Sequence, residues 1–175
     1  MKIIGYGDIA SALERAKASL KDRLYFASGV SYPHELRESE FQREKNLLAN
    51  QGKSLQIMYF STLSIFLEDS RYIRHKKEME ALIKKFPHYA IVRVGTNTWG
   101  KNNLHTLIPF LRGKVERNEP FKIRDVTKYV VEEPEFIHWV NLTPTEGNWE
   151  MNITGRQMTE REIFRKYVSA DYLLP

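Results

Sequence analysis

The sequence has 175 residues, of which 42% are hydrophobic and 12% aromatic, and its 27 basic and 22 acidic residues give a formal net charge of 27 − 22 = +5. This length suits a single domain, and the composition lies outside the low-hydrophobicity, high-charge range of disordered chains. The absence of cysteine excludes disulfides, a thiolate nucleophile, cysteine-ligated zinc and iron–sulfur clusters.

Short apolar segments alternate with longer amphipathic ones in the first half of the chain. The pattern predicts strands at 2–5, 24–27 and 55–61 and helices at about 8–20 and 38–50. Residues 28–33 contain Ser, Gly and Pro and are typical of a loop. Ser70 is a predicted N-cap for a helix that runs to about Phe86 and ends at Pro87.

The alternation continues in the second half. Here the pattern predicts a strand at 89–94, helices at 104–117 and 134–142, a strand at 149–153 and a helix at 159–168. Strands that alternate with helices favour an α/β fold with a parallel sheet. We therefore expect one domain over residues 1–175.

A glycine-rich turn follows the first predicted strand. Residues 5–10, Gly-Tyr-Gly-Asp-Ile-Ala, match the dinucleotide-binding pattern G-x-G-x-x-A. In that pattern Gly5 permits a tight turn, Gly7 lets the backbone approach a pyrophosphate, and Ala10 allows close packing of the helix on the strand. The alternative is a turn that serves packing only. Asp8 fits poorly beside a phosphate unless its side chain caps the helix.

Tyr72 and Lys76 form a Y-x-x-x-K pair on one predicted helix. At 100° per residue both lie on the apolar stripe with Met79, Ile83 and Phe86, so Lys76 faces the core. A lysine one turn after a tyrosine can lower the pKa of the phenol, which would make it a usable acid or base. The alternative is a lysine that snorkels from the edge of the stripe, in which case Lys76→Met is neutral or stabilising.

Three further segments carry a family resemblance. Residues 57–66 resemble the strand of extended short-chain dehydrogenases/reductases that ends in a catalytic Ser or Thr, and Thr62 is the matching position. Residues 89–100 resemble the next strand of that family and its substrate-side loop, and residues 151–163 resemble its late strand and helix. The order of the segments is the family order, and the resemblance is to the NAD-dependent epimerase/dehydratase branch.

The resemblance implies an NAD(P)-dependent sugar-nucleotide epimerase or reductase. Thr62 would hydrogen-bond the substrate hydroxyl, Tyr72 would exchange its proton, and Lys76 would lower the pKa of the tyrosine and hold the nicotinamide ribose. Residues 1–100 would form the nucleotide-binding and catalytic part, and residues 101–175 would resemble the start of the substrate half. The remaining implied contacts are to NAD or NADP at Gly5, Gly7 and Ala10, and to substrate at Asn97, Thr98 and Trp99.

The sequence also departs from this family. Only one helix fits between the glycine turn and Leu24, so the second and third family strands are predicted to be absent, together with the residue that would read the adenosine ribose. The result would be a Rossmann-like sheet of about five parallel strands in sequential order. Right-handed crossovers would then place the helices on one face, and the other face would stay bare unless a partner or residues 117–131 cover it, so a homodimer is expected.

Chemistry at the end of the third predicted strand also differs from that of the family. Only ten residues lead from Thr62 to Tyr72, which is a shorter loop than the family carries. Leu63 and Ser64 stand where sugar-nucleotide dehydratases have an Asp-Glu pair, and this disfavours dehydration. The alternative function is a catalytically inactive Rossmann-like ligand-binding or scaffold protein that does not hold a dinucleotide.

Other classes of function find little support. The five histidines show no metal-ligand spacing, so no metal site is expected. Basic residues share segments with Glu, as in 74–85, which is typical of solvated helix faces more than of a nucleic-acid patch. The most apolar window, 54–67, is too short for a membrane span, and no signal peptide is evident, so we expect a cytoplasmic protein that acts on a small molecule.

Overall fold

A five-stranded parallel sheet forms the larger part of the fold. The computed structural model describes residues 1–100 and 105–169. The strands of this sheet are β1 (Lys2–Ile4), β2 (Leu24–Phe26), β3 (Ile57–Thr62), β4 (Tyr89–Val94) and β7 (Trp149–Ile153). They pair in the order β1-β2-β3-β4-β7, and every pair is parallel. The predicted α/β class, with about five parallel strands in sequential order, is confirmed.

The helices agree with the predicted ones to within a few residues. They are α1 (Asp8–Arg15), α2 (Glu38–Ala49), α3 (Arg71–Ile83), α4 (Leu107–Glu116), α5 (Glu133–Leu142) and α6 (Glu160–Tyr167). The Ser70 hydroxyl accepts a hydrogen bond from the Ile73 amide at 3.2 Å, so the predicted N-cap is present. Leu104, the predicted start of the fourth helix, lies outside the described residues. Within the described part of the chain, no helix is long and apolar enough to cross a membrane.

A second, smaller sheet lies beside the first, and the sequence analysis missed it. It consists of β5 (Thr96–Asn97), β6 (Thr127–Val131) and β8 (Arg156–Thr159). β6 lies in the middle, parallel to β5 and antiparallel to β8. Helices α4 and α6 pack on this sheet through a cluster of buried apolar side chains: Ile108, Val130, Met158 and Ile163.

Helices cover both faces of the large sheet, which corrects the expectation of a bare face. Alternate residues of β3 point to opposite sides: Met58 and Phe60 belong to one core cluster, and Ile57 and Tyr59 to the other. The first cluster includes α1 and α5 side chains, such as Leu13 and Phe136, and the second includes side chains from α2 and α3, Leu48, Met79 and Ile83. Neither face of the large sheet therefore needs a second copy of the chain to cover it.

The connection through α1 explains the error. Every step from β1 to β4 runs in the same direction across the sheet, yet α1 lies on the face opposite α2 and α3. The β1–α1–β2 connection therefore has the opposite hand to the connections through α2 and α3. Because parallel crossovers are right-handed in about 98% of cases, the prediction placed all three helices together.

Candidate functional site

A large cleft opens at the carboxyl ends of β1 to β4, between the two sheets. Its volume is about 1300 Å³, and its walls come from the glycine turn, the loop after β2, the end of β3 and the segment after α4. Open α/β sheets bind ligands in this position. Five of the predicted site residues line it: Gly7, Thr62, Tyr72, Lys76 and Asn97.

Thr62 presents a hydroxyl at the end of β3. Its Oγ1 accepts a hydrogen bond from the Ser64 amide at 3.2 Å and so caps the short 3-10 helix over 63–66. This contact uses an acceptor position and leaves the hydroxyl proton without a partner among the described residues. Thr62 can therefore donate to an oxygen of a ligand in the cleft.

Tyr72 lies in the wall of the cleft, buried to 9% exposure. No hydrogen bond to its hydroxyl is present in the described part of the chain. Burial, together with the Glu44 and Glu68 carboxylates, raises the pKa of the Tyr72 phenol well above its ordinary value of 10. This direction is opposite to the one that the family resemblance implies. In this state Tyr72 is a hydrogen-bond donor and not a base near neutral pH.

Lys76 is held inside the protein and does not snorkel. It is only 3% exposed, and its Nζ donates to the Tyr59 hydroxyl at 3.2 Å and lies 3.5 Å from Oε1 of Glu44. The ammonium lies 5.7 Å from the centre of the Tyr72 ring. The ammonium is therefore near the Tyr72 ring but is paired with the Glu44 carboxylate.

Glu44 is the residue of this site that the sequence analysis missed. It comes from α2, is fully buried, and its Oε2 accepts from the Val30 amide at 2.7 Å and lies 2.9 Å from Nε2 of His75. Burial alone would raise its pKa, but the Lys76 ammonium and the bonds from His75 and Val30 lower it to about 2.

A signal for Glu44 exists in the sequence. Phe41, Glu44 and Leu48 have helical spacing on one face of α2, and all three are buried. A carboxylate on an apolar stripe requires a buried cation, which Lys76 supplies from the apolar stripe of α3.

The three predicted glycine-turn residues have separate roles. Gly5 has φ +121°, and a Cβ there would overlap the carbonyl oxygen of Ala27, so this glycine is needed for close approach to the chain that follows β2. Ala10 is buried in α1. Gly7 faces the cleft and has open space around it. Packing therefore explains Gly5 and Ala10, and only Gly7 is available to a ligand.

Asp8 lies at the first position of α1, where an anion would otherwise meet the helix N-terminus. Its carboxylate lies against the Gly100 backbone, and its Oδ2 is 3.5 Å from Nδ2 of Asn97. It makes no capping hydrogen bond, and Gly7 is the N-cap residue. Burial raises the pKa of Asp8 in spite of the Asn97 bond and nearby Arg15. The helix N-terminus therefore faces a carboxyl group of the same chain.

The predicted substrate-side residues divide between the cleft and the core. Asn97 lines the cleft and donates to the Trp99 carbonyl at 2.9 Å. The Trp99 indole stacks 5.1 Å from the Phe136 ring and donates to the Asp8 carbonyl at 3.0 Å. Thr98 and Trp99 do not line the cleft, although the Trp99 carbonyl contacts the candidate residue Asn97.

Similarity to known proteins is found at the level of structure. No family model matches the chain, and no curated protein sequence matches it. One similar solved structure is the Bordetella bronchiseptica enzyme WbmG in complex with NAD and UDP, at TM-score 0.62 and 16% identity over 93% of this chain and 62% of WbmG.

Two other solved structures give a similar result. The UDP-glucuronic acid 4-epimerase of Bacillus cereus, in complex with UDP-glucuronic acid and NAD, matches at TM-score 0.59 and 14% identity over 87% of this chain and 60% of its own. MoeE5 in complex with UDP-glucose and NAD matches at TM-score 0.69 and 13% identity over 93% and 78%.

These likenesses show the fold. The chain shares the fold of these three proteins, in agreement with the fold expected from the sequence resemblance, and it spans about three fifths of the length of WbmG and of the epimerase. Because the fold hosts several activities, the function has to be argued from the cleft.

Proposed function

We propose that the protein binds a sugar nucleotide in the cleft and does not hold a dinucleotide at the glycine turn. The observation that carries this proposal is the Asp8 carboxyl group against Gly100, at the helix end that the pyrophosphate pattern assigns to a phosphate. The similar structures contain UDP or UDP-sugars as well as NAD. The cleft of this protein supports binding of the UDP-sugar but not of NAD.

The fit of a dinucleotide to this chain is poor at two places. At the glycine turn its phosphates would meet the Asp8 carboxyl group, which repels an anion when ionised and occupies space in either form. Beyond the turn, β1 is the edge strand of the large sheet, so residues 1–100 and 105–169 contain no further strand that would support an adenosine. We therefore derive no hydride transfer for this chain.

The sugar end of the cleft has suitable donors. Thr62 and Tyr72 each have a hydroxyl proton without a partner in the described structure, and Lys76 adds an ammonium. In this proposal they hydrogen-bond the sugar hydroxyls or the sugar-linked phosphate of the ligand. Asn97 lines the same cleft, and its Nδ2 lies near the Asp8 carboxyl group.

Calorimetric titration of the whole protein with UDP-glucose and with NAD tests the proposal. We expect UDP-glucose to bind and to raise the melting temperature, since a ligand at 100 times its Kd stabilises the native state by about 2.7 kcal/mol. We expect no heat with NAD. Binding of NAD but not UDP-glucose would refute the proposal. The matched variant Asp8→Asn keeps the shape of the side chain and removes its charge, so any residual NAD affinity should increase in it.

The second candidate function is an NAD(P)-dependent sugar-nucleotide epimerase or reductase that uses Thr62, Tyr72 and Lys76. The observation that favours it is that these three side chains, from β3 and α3, line one cleft together with Gly7. In such an enzyme the dinucleotide would supply the hydride chemistry. Turnover of UDP-glucose with added NAD, abolished in Tyr72→Phe, would establish this function in place of the first. A homodimer and a cytoplasmic location remain predictions for either function.

A further inference from the structure

The cluster behind the cleft contains a charge that neither candidate function uses. Glu44 touches four groups: the Tyr59 hydroxyl at 3.0 Å, the Val30 amide, the His75 ring and the Lys76 ammonium. A buried carboxylate is costly unless it is paired and hydrogen-bonded, and every contact here compensates that cost.

We propose that Glu44 is a positioning residue that fixes the Lys76 ammonium at the floor of the cleft. There the ammonium donates a hydrogen bond to an oxygen atom of the ligand. This inference rests on the proposed function, because it concerns how the same cleft grips a sugar nucleotide. It assigns a role to α2, an element that supplies none of the residues in the predicted site. It also gives a reason for a charged side chain inside an apolar helix face.

The geometry limits where the ammonium can point. Lys76 Nζ has three protons, of which one is given to the Tyr59 hydroxyl and one faces Oε1 of Glu44. The backbone of Gly29 closes a further side, since a Cβ there would lie 2.6 Å from Nζ. Lys76 is one of the residues that line the cleft, and in this proposal its remaining proton is the one given to the ligand.

Glu44 is itself fixed from two directions. The Val30 amide holds Oε2 from the loop after β2, and His75, the neighbour of Lys76 on α3, holds the same oxygen. The carboxylate therefore connects the loop after β2 with helices α2 and α3. If Glu44 were neutral, the ammonium would lose its only anion within 4 Å in the described structure and would be free to turn toward water.

A double-mutant cycle on ligand affinity separates positioning from a general structural role. UDP-glucose affinity is measured by calorimetry for wild type, Glu44→Gln, Lys76→Met and the double variant. We expect Glu44→Gln to weaken binding by about tenfold, and to have less than about a twofold effect when Lys76 is already methionine. Equal losses in both backgrounds would refute the positioning role. Glu78→Gln, which removes an exposed carboxylate from α3, is the control and should not change affinity.

A second measurement does not depend on any ligand. Acetylation of lysines by an N-hydroxysuccinimide ester, followed by peptide mass spectrometry, compares Lys76 with its exposed neighbour Lys77 in the same molecule. We expect Lys76 to be labelled several-fold faster in Glu44→Gln than in wild type, with Lys77 unchanged. An unchanged rate for Lys76 would refute the role of Glu44, whereas a wild type that binds no sugar nucleotide would refute the proposed function.

Glu44→Asp is the second variant for both measurements, in case Glu44→Gln does not fold. It keeps the negative charge and withdraws the carboxylate by one methylene, so the contact to Lys76 lengthens. We expect the same Lys76-dependent loss of affinity and faster labelling, and the absence of both effects in a folded Glu44→Asp protein would contradict the proposal.

Discussion

Replacing Lys76 with methionine removes the cation that compensates buried Glu44. On an apolar stripe alone the substitution would be neutral or stabilising, but the structure reverses this expectation. Removing one partner of a buried ion pair costs about 3 to 5 kcal/mol, because the other charge stays buried. Glu44 keeps its bonds to Tyr59, Val30 and His75, so we expect the lower end, about 3 kcal/mol.

Urea unfolding followed by circular dichroism measures this loss. For a domain of this size 1 kcal/mol corresponds to roughly 2 to 4 °C in Tm, so thermal unfolding of the same variant should show a Tm lower by about 6 to 12 °C. Lys77→Met is the matched control, since the same substitution one residue away removes an exposed charge and should change stability by less than about 0.5 kcal/mol. Equal stabilities for Lys76→Met and Lys77→Met would refute the view that the Lys76–Glu44 pair compensates a buried charge.

Three further predictions concern the same region. Because the pKa of Glu44 is about 2 in the folded protein and 4.5 ordinarily, its contribution to the free energy of unfolding is complete above pH 4.5 and is lost as the pH falls toward 2. The urea midpoint should therefore fall less steeply over this range in Glu44→Gln than in wild type. Gly5→Ala should cost about 1 to 3 kcal/mol, because φ is +121° and a Cβ would overlap the chain after β2, while Gly7→Ala should cost less than about 1 kcal/mol in the same unfolding assay. Tyr72→Phe removes a hydroxyl that has no partner among the described residues, so calorimetry should show weaker UDP-glucose binding while Tm stays within about 2 °C of wild type. A large loss of Tm would show that the hydroxyl is structural.

Much of the large sheet was predictable, because its signals are local. β4 and β7 were predicted at their observed bounds, since β4 is a mostly apolar run that ends before Gly95 and β7 alternates apolar and polar residues. The small sheet was missed because β6 and β8 contain Thr, Lys, Arg and Gln and lack a clear apolar alternation. Strands of this kind are defined by pairing with distant segments, which sequence patterns do not report.

The candidate site shows the same division. Tyr72 and Lys76 could be assigned to one helix face from their spacing, and the burial of Lys76 follows from that face. Burial, followed by the Glu44 and Glu68 carboxylates, raises the pKa of Tyr72, and the contribution of Glu44 could not be predicted because this residue comes from a different helix. The contact between Asp8 and Gly100 joins the start of α1 to a loop more than 90 residues away, so no local pattern could reveal it.

The two faces of the large sheet also differ in how much chain must be ordered to complete them. The α2 and α3 face is assembled from residues 24–91, whereas the α1 face is completed by α5, and Arg15 pairs with Glu133 across 118 positions. Closing so long a loop costs more chain entropy and slows folding. The glycine turn leads directly into α1, so its position at the cleft depends on packing between segments more than 100 residues apart.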